Sequence, residues 1–156
     1  MHPTRSPEAS NRSISRPARR RLGMTALVLT AGLTLAACMN TDQQTAYDLV
    51  NGSRADASLP ALAVDNTAQT KAQAWADHLA STNTLAHSTL TAGMDDQWAR
   101  LAENVGYGAS IEQIHHAFLS SAGHRANILD PGLTHVGVGV AHGHGRTFVV
   151  LVFSQR

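Results

Sequence analysis

Apolar residues recur at helical intervals in three stretches of this chain and at strand intervals near its end. From Gln44 onward, Ala46, Leu49 and Val50, with Tyr47 beside them, form one apolar face, which predicts a helix that weakens at Gly52-Ser53. Leu59-Pro60-Ala61-Leu62 must then be extended, because proline disfavours helical backbone at the residue before it. Ala68, Ala72, Trp75, Ala76 and Leu79 predict a second helix over about 66–82, with Trp75 in the core and Lys71, Asp77 and His78 on the outside. A loop follows through His87 and Gly93. Ser110 starts a third helix with Gln113 three residues on, a capping-box arrangement, and Ile111, Ile114, Phe118 and Leu119 form its apolar face. Gly123 is expected to break that helix, leaving Ala126–Leu129 as one short further turn before Asp130-Pro131-Gly132.

The period then changes. Val136-Gly-Val-Gly-Val140 alternates by two, and Thr147–Phe153 is a continuous run of apolar, mostly β-branched and aromatic residues. Gly143-His144-Gly145 between them supplies turn residues, so the pair reads as an antiparallel hairpin whose last strand is buried on both faces. Helices first and a ribbon last predict an α+β fold with helices on both faces of a small antiparallel sheet.

Charge changes the picture at the start of the chain. The 12 Lys+Arg and 11 Asp+Glu nearly balance, yet six of the arginines lie before Leu22 with Glu8 as their one acid. From Cys38 onward the charge is about −4, so the basic balance of the whole chain belongs to its first residues. Leu22–Ala37 is apolar with two Gly and three Thr, too short for a membrane-spanning helix, which needs about 20 predominantly apolar residues. A basic stretch, an apolar run and small residues form the secretory-signal pattern. Leu35-Ala36-Ala37-Cys38 resembles the bacterial lipobox, which implies that residues 1–37 are a signal peptide. Cys38 would then become the acylated first residue of the mature protein, and the membrane its partner. Arg20-Arg21 hints at twin-arginine export, but the flanking residues fit the general secretory route better. Cys38 is the only cysteine, so a disulfide framework is excluded. The expected organisation is a lipidated Cys and short polar tether at 38–44, followed by one domain at 45–154. The absence of basic clusters beyond the leader weighs against nucleic acid.

Four short motifs occur in order along that domain. They are Leu85-Ala86-His87-Ser88, Ala102-Glu103-Asn104-Val105, Ser121–Leu129 (SAGHRANIL) and His135-Val136-Gly137-Val138-Gly139. Asn51-Gly-Ser-Arg54 followed by Leu59-Pro60-Ala61-Leu62 precedes them. The set resembles the CAP domain, also called the SCP domain, of plant pathogenesis-related proteins, venom allergens, cysteine-rich secretory proteins and short bacterial secreted proteins. The resemblance implies a three-layer α-β-α sandwich with an open cleft holding two histidines and two acids. His87 and His124 match the two histidines and Glu103 the first acid. The second acidic position falls near Ser121, so this chain has a hydroxyl there.

Two imidazoles and a carboxylate in one cleft suit a divalent metal such as Zn²⁺, with Glu103 as ligand or base; the resemblance implies that His87 and His124 are the contacts. Taken singly, each residue has a plain structural reading. His87 would cap a turn, Glu103 would tie down backbone entering the sheet, and His124 would be positioned by nearby carbonyls. The expected function is a membrane-anchored extracytoplasmic module whose cleft takes a small lipid or peptide. The alternatives are a metal-assisted hydrolase of the envelope and a structural envelope protein; no Gly-x-Ser-x-Gly elbow surrounds Ser120 or Ser121. Of the other histidines, His115 is expected to border the cleft, His116 to be solvated and His135 to be structural. His142 and His144 belong to a solvated turn able to hold a surface metal loosely. Trp98 packs over the cleft or fills it.

Overall fold

The computed structural model describes residues 39–156; the leader and Cys38 lie outside them. Helix α1 spans Thr41–Asp56. Its start corrects the expected tether. The Asn40 side chain accepts from the Gln43 N–H and the Gln43 side chain accepts from the Asn40 N–H, both at 2.9 Å. This reciprocal cap satisfies two of the free donors at the helix start. Only Met39 and Asn40 therefore separate α1 from Cys38. Gly52 does not interrupt the helix, because Gln43, Ala46, Val50 and Arg54 keep one continuous buried face across it.

Strand β1 is Ala63–Val64, and helix α2, Asn66–Thr82, agrees with its expected span. Asp65 caps α2 by accepting from the N–H groups of Thr67 and Ala68. Strand β2, Arg100–Gly108, occupies a stretch that shows no strand period, because its middle is the buried polar pair Glu103-Asn104. Helix α3 is Ile111–Ser120 and α4 is Ala122–Ile128. The break between them falls at Ser121, whose backbone is extended, and Gly123 lies inside α4. Strands β3, His135–Gly143, and β4, Arg146–Gln155, form the expected hairpin. His144 and Gly145 at its tip both have positive φ, as a two-residue type I′ turn requires.

The sheet order is β1-β3-β4-β2. The expectation of an antiparallel sheet holds for three strands, whereas the two-residue β1 runs parallel to β3. Phe148, Val150 and Val152 face α2, while Val149, Leu151 and Phe153 face α1 and α3, so β4 is buried on both sides as its sequence predicts. This is a three-layer α-β-α sandwich.

The α2 layer lies unusually close. A Cβ at Gly137, Gly139 or Gly143 would collide with the helix backbone at Ala68, Ala72 or Ala80. Glycine on the strand and alanine on the helix remove the side chains that normally hold a helix away from a sheet. The short β1 leaves β3 unpaired beyond Val136, and two α2 glutamines take the missing strand's place. Gln69 accepts from the Val138 N–H and donates to the Val138 carbonyl at 2.8 and 2.7 Å. Gln73 makes the same pair with Val140 at 3.1 and 2.9 Å. The edge is thereby closed to pairing with another chain.

Arg54, only 1% exposed, fastens the opposite layer. Its guanidinium donates to the carbonyls of Pro60, Ile128, Asp130 and Leu133. One side chain thus binds the exit of α1 to the end of α4 and the entry to β3. Burial pushes the Arg54 group below its ordinary value, against the pull of Asp130. Between α1 and α3, buried His115 shares a 2.8 Å hydrogen bond with Ser53 Oγ.

The close packing is testable by a pair of glycine substitutions. Gly139→Ala should cost about 3 kcal/mol in urea unfolding, because neither backbone can give way. Gly123→Ala, with nothing within 4 Å of the new Cβ, should be neutral or slightly stabilising. Equal effects of the two would refute the close-packing account. Burial, then the charge of His116, depresses the His115 pKa, so the fold favours its neutral form. The stability it contributes is complete above the ordinary imidazole pKa and is lost as pH falls from there through the lower value of the folded protein. Wild type should therefore lose more thermal stability than His115→Gln between about pH 7.5 and 5.5, near the imidazole range. Identical losses would contradict this.

Candidate functional site

Glu103 lies in the middle of β2 on the α2 face, its side chain 3% exposed. Oε1 accepts from His87 Nδ1 at 2.7 Å and from the Ser88 N–H at 2.9 Å, and Oε2 accepts from Ser88 Oγ at 2.6 Å. A buried carboxylate is costly unless its lone pairs are used, and here three donors use them. Donation from Nδ1 sets the tautomer of the neutral His87 ring, the form in which Nε2 carries the lone pair. The His87 side chain is 64% exposed, so that lone pair is open to a ligand.

The loop that brings His87 to Glu103 runs back along α2. Trp75 Nε1 donates to the Ala86 carbonyl, Lys71 Nζ donates to the carbonyls of Thr89 and Ala92, and Thr67 Oγ1 donates to Asp95. These three residues are four apart, one helical turn each, and form a polar seam along α2. Trp75 is therefore half-buried at the seam rather than in the core, stacked on His78. Lys71 is also tied to the site. Burial lowers its pKa and the charge of Glu103 opposes that shift. Arg156 closes the far end of the seam, reaching Asp65 at 2.6 Å and Asp95 at 3.0 Å. Burial alone would raise the Asp65 carboxyl, but bonds from Arg156, the Ala68 N–H and Ser154 hold it below the usual carboxylate range.

Asn104, the next residue of β2, points to the other face and is fully buried. Its Nδ2 donates to the His124 carbonyl at 3.0 Å, and it accepts from Asn127 Nδ2 at 2.9 Å. Glu103 thus holds the His87 loop on one side of the strand while Asn104 holds α4 on the other. β2 is the outer strand of the sheet, so the His87 loop and α4 both lie beside its open edge. His124 packs against Phe118 with ring centroids 5.0 Å apart. Burial, then the charge of His87, depresses its pKa, so the two histidines sense each other.

Ser121, expected to supply the cleft hydroxyl, is half-buried at the junction of α3 and α4 and makes no capping bond to α4. His115 does not border this cleft: it turns toward α1, where Ser53 holds it. His116 is exposed, and His135 is half-buried with Nδ1 2.8 Å from Thr134 Oγ1. His142 bonds Asp42 at 2.8 Å and Thr147 at 3.2 Å. His144 is exposed at the turn, and Trp98 is half-buried just before β2. Among the described residues, no three His, Cys, Asp or Glu side chains gather into a cluster fit for a metal ion. Both Glu103 oxygens are bonded to His87 and Ser88, so a metal ion here would be left only imidazoles and water or ligand atoms, and Glu103 serves to orient His87. The sequence reading did not identify Ser88, Lys71 or Asn127 as site residues. The four-residue spacing of Thr67, Lys71 and Trp75 was the available signal for the loop seam.

Comparison with known proteins fits this architecture. The sequence profile of CAP, the cysteine-rich secretory protein family, matches residues 47–154. The uncharacterized protein YkwD of Bacillus subtilis is 31% identical over 101 residues, covering 59% of this chain and 39% of that protein. An extracellular SCP-domain protein from Bacillus anthracis shares 26% identity at a TM-score of 0.64, over 74% of this chain and 40% of the other. An outer surface protein from Borrelia burgdorferi superposes at a TM-score of 0.66 with 19% identity, over 76% of this chain and 96% of that one. The chain thus spans about two fifths of the length of the two Bacillus relatives. It belongs to the CAP family of cysteine-rich secretory proteins.

Proposed function

We propose that this protein is an extracytoplasmic binding module, held to the bacterial envelope membrane by acyl chains on Cys38. Its His87–Glu103–His124 cleft would take a small lipid or peptide ligand with a divalent metal such as zinc at its base. The observation that carries the reading is the use of Glu103: a buried carboxylate bonds the His87 ring at Nδ1 and ties down the adjoining Ser88, holding an exposed imidazole in place. Such a carboxylate–histidine pair is the usual support for a metal-binding imidazole. His124, kept neutral by burial and by its neighbour, would be the second contact. A bound metal would supply Lewis acidity at the floor of the cleft. Phe118, buried in the core, backs the His124 ring, and Ser121 places a half-buried hydroxyl at the start of the His124 helix. The Ser88 hydroxyl donates to Glu103 and is held as a support rather than as a nucleophile. The extracellular Bacillus anthracis relative and the lipobox-like end of the leader support the location.

Calorimetric zinc titration tests the site. Wild type should bind, with affinity lost in His87→Ala and His124→Ala and reduced about ten- to a hundredfold in Glu103→Ala, the usual effect of removing an outer support. Heats that are absent from the wild type, or equal in all four proteins, would sink the metal reading. The anchor has its own test. Cys38→Ser should accumulate as an uncleaved precursor or appear as soluble protein, and a normally processed, membrane-bound variant would refute acylation at that residue.

A further inference from the structure

The start of α1 and one end of the sandwich are fixed to each other. Asn40 caps α1, so two residues separate the first helix from Cys38. The first turn of that helix is bonded to the β3–β4 hairpin through Asp42 and His142, and Thr147 holds the other nitrogen of the same ring. Strands β3 and β4 turn at this end, β2 finishes here beside Thr147, and α3 begins here after Ser110. The end of α2 meets the hairpin as well, where Gly143 lies against Ala80.

The surface at this end differs from the rest of the domain. Tyr107 is 45% exposed and Leu85, which follows the end of α2, is 52% exposed. Among the described residues these are the exposed large apolar side chains. The Arg146 guanidinium stands 4.6 Å over the Tyr107 ring and has no acidic partner among the described residues. A depression of about 460 Å³ opens beside this pair, lined also by Ala109, Gln113, Ile114 and Ala117. The end also carries two carboxylates, Asp42 bonded by His142 and Glu112 in the first turn of α3. Attraction to anionic lipid is therefore not the main term. A tyrosine with an apolar body and polar tip, next to an arginine with a long aliphatic stem, suits the headgroup level of any phospholipid surface.

We infer that this end of the domain lies on the membrane that holds Cys38, with Tyr107 and Arg146 at the level of the lipid phosphates. The inference rests on acylation of Cys38 as proposed above. With so short a connection, acyl chains on Cys38 bring the first turn of α1 to the bilayer surface, and the hairpin bonded to that turn comes with it. The lipid surface then covers the apolar depression.

The test uses the mature lipoprotein reconstituted into phosphatidylcholine vesicles. Acylation of Cys38 leaves any introduced cysteine as the one reactive thiol. A nitroxide is placed by Ala109→Cys beside the depression or by Asn66→Cys at the start of α2. Intact mass reports acylation of Cys38, and electron paramagnetic resonance compares accessibility to oxygen and to a water-soluble nickel complex. The expected result is an acylated protein in which position 109 shifts severalfold toward oxygen on vesicle binding while position 66 stays aqueous. An acylated, vesicle-bound protein whose label at 109 also stays aqueous overturns the placement alone. An unacylated Cys38 overturns the anchoring reading and the placement together.

Discussion

The near-contact of helix and strand backbone between α2 and β3 is the constraint on which the site depends. Alanine at 68, 72 and 80 facing glycine at 137, 139 and 143 lets the two backbones meet, and a single methyl group at the glycines would part them. This closeness allows Gln69 and Gln73 to bond directly to the strand. It also fixes the line of α2, and with it the seam of Thr67, Lys71 and Trp75 that guides the returning loop. His87 reaches Glu103 because the helix that steers it cannot slide.

A chain with one cysteine has no disulfide to hold its connections, and buried polar side chains take that part. Arg54 collects four carbonyls from segments up to 79 residues away. Asp65 joins the start of α2 to Ser154 and Arg156, and Asn104 joins β2 to α4. Buried charges carry a desolvation cost, and they stabilise only where every lone pair and proton finds a partner. No buried side-chain nitrogen or oxygen among the described residues lacks one. The same rule governs the cleft, where Glu103 is both a structural tie and the support of a solvent-facing imidazole.

Elements whose apolar residues keep a clean period were legible from the sequence: α2, the α3 face and the β3–β4 hairpin. Strand β2 was not, since its centre buries Glu103 and Asn104, and a buried polar pair disguises the alternation that marks a strand. The start of α1 was hidden for a related reason. Residues 39–44 are polar and read as tether, whereas Asn40 and Gln43 use their polarity to cap the helix. The types of residue in the cleft came through the four ordered motifs, which also carried family membership. Their supports did not, because Ser88, Lys71 and Asn127 act on partners 15 to 24 positions distant that only the fold brings near.

The central claim is that Glu103 holds His87 in the tautomer with a proton on Nδ1 and an open lone pair on Nε2, while His124 stays neutral. Long-range proton–nitrogen NMR of histidine-labelled protein reads both rings directly. At about pH 7.5, above the ordinary imidazole range, the account predicts a bare Nε2 on His87, a neutral His124, and a shift of both rings when zinc is added. A His87 ring protonated on Nε2, or rings that do not respond to zinc, would contradict it.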